Sequence, residues 1–300
     1  MIQNARRQLA ASWSRLSHNL RGAVWILLAS LFLSAMAATL KVAGQVMSVW
    51  EMLVLRSVIA LVLLTPALMA SRFHAVRTRR PLGHLARGLM GTCAFSLFFL
   101  AVTHIDLTLA VTLGFTRNLF IVVLAVLFLD EVIRTRRTVA TIIGFVGVIV
   151  CVQPSPGSFE PWSLTAIGFA LVAAGVTVTV KRLSETEPPL TIIFYTYVYM
   201  GAAAVVPALI QWKTPSIYDW LLVFMVAILS TLGQTCMVHG LRAADATAVT
   251  PFEYTRILYA FAFGFLFFGE VPQPATWLGG SIIIASTLYI AYRNHSRQTD

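Results

Sequence analysis

Pro251-Phe252-Glu253-Tyr254-Thr255-Arg256, running into the apolar residues 257–268, is the stretch that decides how this chain reads. It places an acid and a base inside a segment greasy enough to lie in lipid. A charge at the bilayer centre costs at least ~2.5–3.5 kcal/mol, so such residues are as a rule functional and paired. Glu253 and Arg256 stand at i, i+3, on one helix face and close enough to pair. The stretch also has a counterpart earlier in the chain. Aligning Glu131 with Glu270 gives an offset of 139 residues, which sets Asp106 on Asp245, Arg117 on Arg256, Gly114 on Glu253 and Thr112 on Pro251. The chain reads as one unit written twice, with the charged face sharpened in the second copy.

Composition supports a membrane setting. Of 300 residues, 58% are hydrophobic and only 11% charged, and the mean hydropathy is +0.80. Soluble domains carry about a quarter charged residues. The net charge of +10 does not point to nucleic acid, because the basic residues fall in short loops between apolar spans, the distribution expected of cytoplasmic loops. Cys93, Cys151 and Cys236 lie within or at the edge of apolar spans with neither metal spacing nor a disulfide framework, and read as small packed hydrophobes. The first residues are not a secretory signal: Arg6, Arg7, Arg15 and Arg21 are too spread out and no cleavage-type site follows. Leu9, Trp13, Leu16 and Leu20 recur at helical spacing, so a surface-lying amphipathic helix and a frayed basic tail both stay open. The segment is also Arg-rich and acid-poor, as transit peptides are.

A spanning helix needs ~20 apolar residues. Ten candidates run near 22–41, 49–70, 84–102, 107–128, 138–153, 163–181, 190–210, 218–240, 246–268 and 275–292. A turn-rich linker, residues 154–162, divides them five and five. The expected units are a tail over 1–20, a first repeat over 21–153, a second over 163–292 and a tail over 293–300. Lys41 and Lys181 close the first span of each half, Pro66-Ala67-Leu68 and Pro207-Ala208-Leu209 the second, and Thr92 and Thr231 sit alike in the third. Five is odd, so the second copy must enter the membrane from the opposite side. The expected fold class is therefore an all-α integral membrane protein, ten transmembrane helices arranged as two inverted five-helix repeats, an arrangement found in many secondary transporters. If the first residues are cytoplasmic, the arginines at 6–21, 72–80 and 134–137, with Lys181, Arg182, Arg242, Arg293 and Arg297, fall inside and Lys41 and Lys213 outside. That bias puts both termini in the cytoplasm.

Arg56, Arg87, Arg117, Glu253 and Arg256 are the charges left inside the spans. Arg87 lies near a span end and reads as snorkelling to the cytoplasmic surface. Arg56 reads equally as a binding residue or as the neutraliser of Glu51 or of helix carbonyls. Arg117 and Arg256 are related by the repeat. With Glu253 they read either as a charged binding cavity or as an ion-pair lock in which Glu253 clamps one of the arginines. Asn118 adds an amide donor and acceptor beside Arg117, and Tyr254 is counted with its neighbours Glu253 and Arg256. Pro251 removes a backbone donor near the start of its span, and freed carbonyls at such breaks hold ligands in transporters. Tyr195 and Tyr199 share a face and line a path or simply pack. His239 is, with Glu253, a proton-coupling candidate, histidine being the side chain that most readily changes charge near neutral pH; the competing reading is helix packing. There is no Walker-type glycine loop, no paired histidine ligand set and no nucleophile motif. No enzyme activity, cofactor or metal is therefore expected.

Phe115-Thr116-Arg117-Asn118-Leu119-Phe120 leading to Leu129-Asp130-Glu131, and Pro251-Phe252-Glu253-Tyr254-Thr255-Arg256 leading to Phe268-Gly269-Glu270, resemble the fourth-span signature of the drug/metabolite transporter superfamily, EamA-like branch. The resemblance covers roughly residues 21–292. It implies a ten-span bundle of two inverted repeats that moves amino acids, S-adenosylmethionine, riboflavin, nucleobases, metallophores or drugs. Members often carry proline after the first arginine, where this chain has Asn118, and glycine before the acid, where it has Asp130. The first departure bears on the kink of the fourth span.

The expected function is a secondary transporter of the bacterial inner membrane, moving a small zwitterionic or charged, amino-acid-like metabolite by alternating access. Arg117 and Arg256 would hold an acidic group and Glu253 a cationic amine, with Asn118, Tyr254, Arg56 and Tyr195 around them. Uptake of a vitamin or cofactor such as riboflavin or S-adenosylmethionine is the alternative within the class. A non-transporting assembly factor or receptor is the alternative outside it. The expected partners are a small-molecule substrate and the bilayer, not nucleic acid, with a homodimer left open.

Overall fold

The computed structural model describes residues 18–71, 76–129, 135–153, 160–184, 186–243 and 252–295. The described secondary structure is helical throughout. The helices are α1 (His18–Ala43), α2 (Val49–Ala70), α3 (Pro81–His104), α4 (Leu107–Gly114), α5 (Arg117–Leu129), α6 (Thr135–Val152), α7 (Ser163–Ser184), α8 (Pro189–Ile210), α9 (Ile217–Ala243), α10 (Thr255–Phe268) and α11 (Pro274–His295). Six of them, α1, α2, α3, α7, α8 and α9, are long and apolar enough to cross a membrane, and shorter apolar helices cover Leu107–Ile121, Ile142–Cys151 and Thr255–Phe268. Their outer faces keep large apolar side chains exposed, such as Ile142, Phe224, Ile228 and Leu266, as a lipid-facing surface requires. Pro251, Glu131, Asp130, Asp245 and most of the linker and tails lie outside the described residues.

Local chemistry sets the helix ends. Ser48 and Glu51 close a capping box at the start of α2. Proline occupies the first turn of α3 and of α8, where its missing N–H costs nothing. Gly269 ends α10 in the left-handed region at φ 66°, a conformation that favours glycine. The single fourth span expected over 107–128 is instead two helices, with a turn at Phe115–Thr116. There the N–H groups of Phe115 and Thr116 donate to Thr112 and Leu113 at 3.1 and 3.0 Å, and Asn118 N–H donates back to Phe115 at 3.0 Å. These i→i+3 bonds tighten the backbone there.

The packing repeats itself with the halves exchanged. α3 runs antiparallel to α7, with Gly83 against Leu183, Met90 against Gly175 and Leu97 against Gly168. α1 runs antiparallel to α9, with Leu33 against Gly233 and Ile26 against Gly240. Gly44, just past α1, stands against Thr103 at the end of α3. Between α6 and α11, a methyl placed on Gly147 would meet the Gly279 carbonyl at 2.8 Å, and Ser286 Oγ donates to the Ala140 carbonyl at 2.5 Å. The 139-residue offset turns Gly147 into Ser286 and Ala140 into Gly279. These are thus one contact made twice. Small residues let the backbones approach, as membrane helix interfaces demand.

Candidate functional site

The site forms where the two helix breaks meet. Phe115 ends α4 and Tyr254 precedes α10, and both adopt right-handed helical angles. The offset relates them to each other, and their rings pack at 4.8 Å between centroids. The residues that follow, Arg117 and Arg256, are thereby brought to the junction of the halves.

Glu253 does not pair with Arg256 as the i, i+3 spacing suggests. Tyr254 falls at a tightened turn between them, where the Ile257 N–H donates to the Tyr254 carbonyl at 3.0 Å, and no ion pair joins the two side chains among the described residues. The Glu253 carboxylate lies 3.8 Å from Arg117 Nη2, across the halves, with side chains 18% and 33% exposed. That contact is long and open for a charge pair, which prefers ~2.7–2.9 Å. Arg256 sits 5.9 Å above the Phe98 ring, and its buried Nε has no hydrogen-bond partner among the described residues. Its carbonyl accepts from Ser34 Oγ at 3.1 Å, which anchors α10 to α1. Asn118 is half-buried beside Arg117. An unsatisfied buried donor costs about 1–3 kcal/mol, so this set is incomplete as a structural lock and well suited to taking an anion.

Arg56 is not the neutraliser of Glu51. The Glu51 oxygens accept the Lys213 N–H at 2.5 Å and the Ser48 N–H at 3.0 Å. Arg56 instead lies over Phe95 at 4.5 Å and Tyr197 at 5.7 Å. Tyr197, on the other face of α8 from Tyr195, is the tyrosine that meets an arginine. Tyr195 lies elsewhere: its hydroxyl donates to the Val76 carbonyl at 2.7 Å, and its ring packs between His84 at 4.8 Å and Tyr199 at 5.8 Å. His239 is exposed and stacks on Trp25 at 5.1 Å, apart from the charged set.

A second ionic knot escaped the sequence. Lys41, at the end of α1, contacts Glu270, just past α10. Glu270 also accepts the Leu107 N–H at 2.7 Å, and Lys41 donates to the Ile105 carbonyl at 2.6 Å. Burial, with the Glu270 carboxylate beside it, pushes the neighbouring Asp106 carboxyl up, and Lys41 offsets this in part. The available signal was that both residues close spans. The chain separation hid their pairing. A groove of about 620 Å3 between the start of α3 and the end of α7, lined by Arg79, Arg80, Met90 and Val178 among others, lies away from both sites.

The family pattern of the EamA-like transporters matches residues 20–153 and again 160–292. This chain belongs to the EamA-like transporter family. Among relatives of this EamA-like chain is an S-adenosylmethionine uptake transporter of Rickettsia bellii, 27% identical over 90% of this chain and 93% of the relative. A riboflavin transporter of Vibrio cholerae is 28% identical over 91% and 93%. The pseudopaline exporter CntI of Pseudomonas aeruginosa is 26% identical over 90% and 95%. A crystal structure superimposes with a TM-score of 0.61 at 18% identity, over 94% of this chain and 99% of the other, a likeness of fold. The family and the apolar helices make the chain a multi-pass membrane transporter.

Proposed function

We propose that this EamA-like protein is a secondary transporter that moves a small, amino-acid-like zwitterionic or charged metabolite by alternating access. The observation carrying this reading is the open Arg117–Glu253 contact beside the incompletely bonded Arg256, at the junction of the two halves. Desolvating a zwitterion is costly unless both ends find partners; here an acidic group has two guanidinium groups and an amine has one carboxylate. Asn118 and Tyr254 border the same junction. Of the two proton-coupling candidates, Glu253 stands in this set.

The architecture proposed is ten spans in two inverted five-helix repeats with both termini cytoplasmic. The antiparallel pairs α3 with α7 and α1 with α9, and the contacts that recur when the halves are exchanged, support it. Alternating access in inverted repeats is largely the rocking of one repeat against the other around a fixed site. Uptake of a vitamin or cofactor is a second reading, favoured by the activities for which two of the relatives are named. Purified protein in sealed vesicles, offered labelled amino acids, S-adenosylmethionine and riboflavin in turn, tests both. Saturable accumulation of an amino-acid-like compound supports the first reading and accumulation of a cofactor the second. Accumulation of neither, from either face, overturns both.

A further inference from the structure

Arg87 does not reach back to the nearer surface. Its Nη1 lies along α3 toward Gly91, one turn further into the helix, so that a methyl on Gly91 would stand 2.9 Å from it. Helical side chains lean toward the N-terminus, so this one runs against the usual tilt, and away from the water that a snorkelling residue seeks. There Arg87 comes within electrostatic reach of Arg56 and Tyr197. The Nε atoms of Arg56 and Arg87 are both buried without a hydrogen-bond partner, and neither arginine is paired with a carboxylate among the described residues. Two guanidinium groups held together in a low-dielectric span repel each other. Aromatic faces offset part of this, but an anion between them offsets far more.

The placement along α3 gives the spacing. The guanidinium of Arg87 lies at Gly91, that of Arg56 over Phe95 and that of Arg256 over Phe98. Residues 91, 95 and 98 recur at three- and four-residue steps, so they share one face. At 1.5 Å per residue, the Arg56–Arg87 pair sits about 5–10 Å along the axis from Arg256.

We infer that Arg56 and Arg87 form a second anion subsite of the same binding site, and that the transported molecule carries two acidic groups. One rests on Arg117 and Arg256 and the other on Arg56 and Arg87, while Glu253 faces any amine between them. This deepens the transporter reading above and rests on it. The second acidic group is a carboxylate or a phosphate; an anionic lipid headgroup offers the same chemistry from another source.

The test uses the full chain in phosphatidylcholine nanodiscs, with melting followed by tryptophan fluorescence. The probes are the α,ω-dicarboxylates succinate, glutarate and adipate against butyrate and hexanoate. At least one dicarboxylate should stabilise at tenfold or lower concentration than either monocarboxylate. Arg56→Gln and Arg87→Gln should each remove that advantage and leave the monocarboxylate response in place. Gly91→Ala, which keeps both charges but crowds Nη1, should reduce the advantage part-way, and Arg87→Lys guards against a folding defect of the neutral variant. No dicarboxylate advantage, or an advantage that survives both glutamine variants, overturns the inference. So does stabilisation that appears only with phosphatidylglycerol, vanishes in Arg87→Gln and is untouched by dicarboxylate, which assigns the pair to a lipid headgroup. Arg256→Gln tests the central reading separately. If it keeps the monocarboxylate response, that reading fails, whatever Arg56 and Arg87 do.

Discussion

Two of the ionic contacts between the halves, Lys41 with Glu270 and Arg117 with Glu253, differ in how finished they are. Lys41 and Glu270 are nearly buried, at 14% and 9% side-chain exposure. Each has a further backbone partner, so the pair, the Leu107 N–H and the Ile105 carbonyl form a closed set. Arg117 and Glu253 are more exposed, 3.8 Å apart, and stand beside Arg256, whose buried Nε has no hydrogen-bond partner among the described residues. The first contact needs nothing more. The second is short of an anion. A satisfied knot reads as structure, and an unsatisfied one in lipid reads as a place for a ligand. The two should therefore respond differently to the same kind of substitution.

The largest expected effect is on transport. Arg256→Gln should lower uptake into vesicles by at least ~100-fold, equivalent to roughly 2.7 kcal/mol, with membrane insertion and melting temperature close to those of the unaltered protein. Arg117→Gln should act alike. A variant that transports normally breaks the comparison at its functional end. Glu270→Gln should do the reverse. It leaves the Lys41 ammonium without its counter-charge in a mostly buried place, where breaking a pair is strongly destabilising. A loss of about 2 kcal/mol is expected at this partial burial, read as a lower melting temperature in detergent. Transport per folded molecule should fall far less than in Arg256→Gln.

Much of this was legible in the sequence, for reasons of scale. Apolar runs of ~20 residues sit close to the helices found, and the repeat offset relates Arg117 to Arg256. What the spacing missed follows from backbone breaks and from distance along the chain. The i, i+3 rule assumes a regular helix; the turn at Tyr254 is tightened, and the Glu253 carboxylate meets Arg117 instead. No proline marks the turn at Phe115–Thr116, so a continuous span was the natural reading. Arg87 lies near a helix start, where snorkelling is the ordinary outcome, and nothing local announced that Gly91 opens space deeper in. Lys41 and Glu270 were each visible as span ends, but only the folded chain makes them partners.

A smaller effect sharpens the functional side. Glu253→Gln keeps a hydrogen-bonding group near Arg117 and removes the negative charge. Transport of substrates bearing an amine should drop about tenfold, or ~1.4 kcal/mol, while acids without an amine should lose little. Paired uptake assays with an amino acid and its deaminated analogue make the measurement. Equal losses for both would move Glu253 from substrate contact to arginine positioning.

The smallest effect concerns a third carboxylate, of the satisfied kind. Glu187, in the connection between α7 and α8, accepts hydrogen bonds from Thr78 Oγ1 at 2.9 Å and from the Arg79 N–H at 3.0 Å, with His84 Nε2 4.0 Å away. Burial by itself pushes this carboxyl up, but those hydrogen bonds, with the charge of His84, outweigh it and hold the group below its ordinary value of 4.5. A carboxylate whose folded pKa is depressed stabilises the fold above its unfolded value, and loses that contribution as pH falls through the folded value. The melting temperature should thus be insensitive to Glu187 titration from neutral pH down to about 4.5 and decline below it. Glu187→Gln should start slightly lower at neutral pH and show a shallower acid decline, with transport unchanged throughout. If instead Glu187→Gln abolished transport while leaving the melting curve untouched, a fully bonded carboxylate would be acting as a substrate or coupling group. The division between finished and unfinished contacts would then no longer separate structure from function in this bundle.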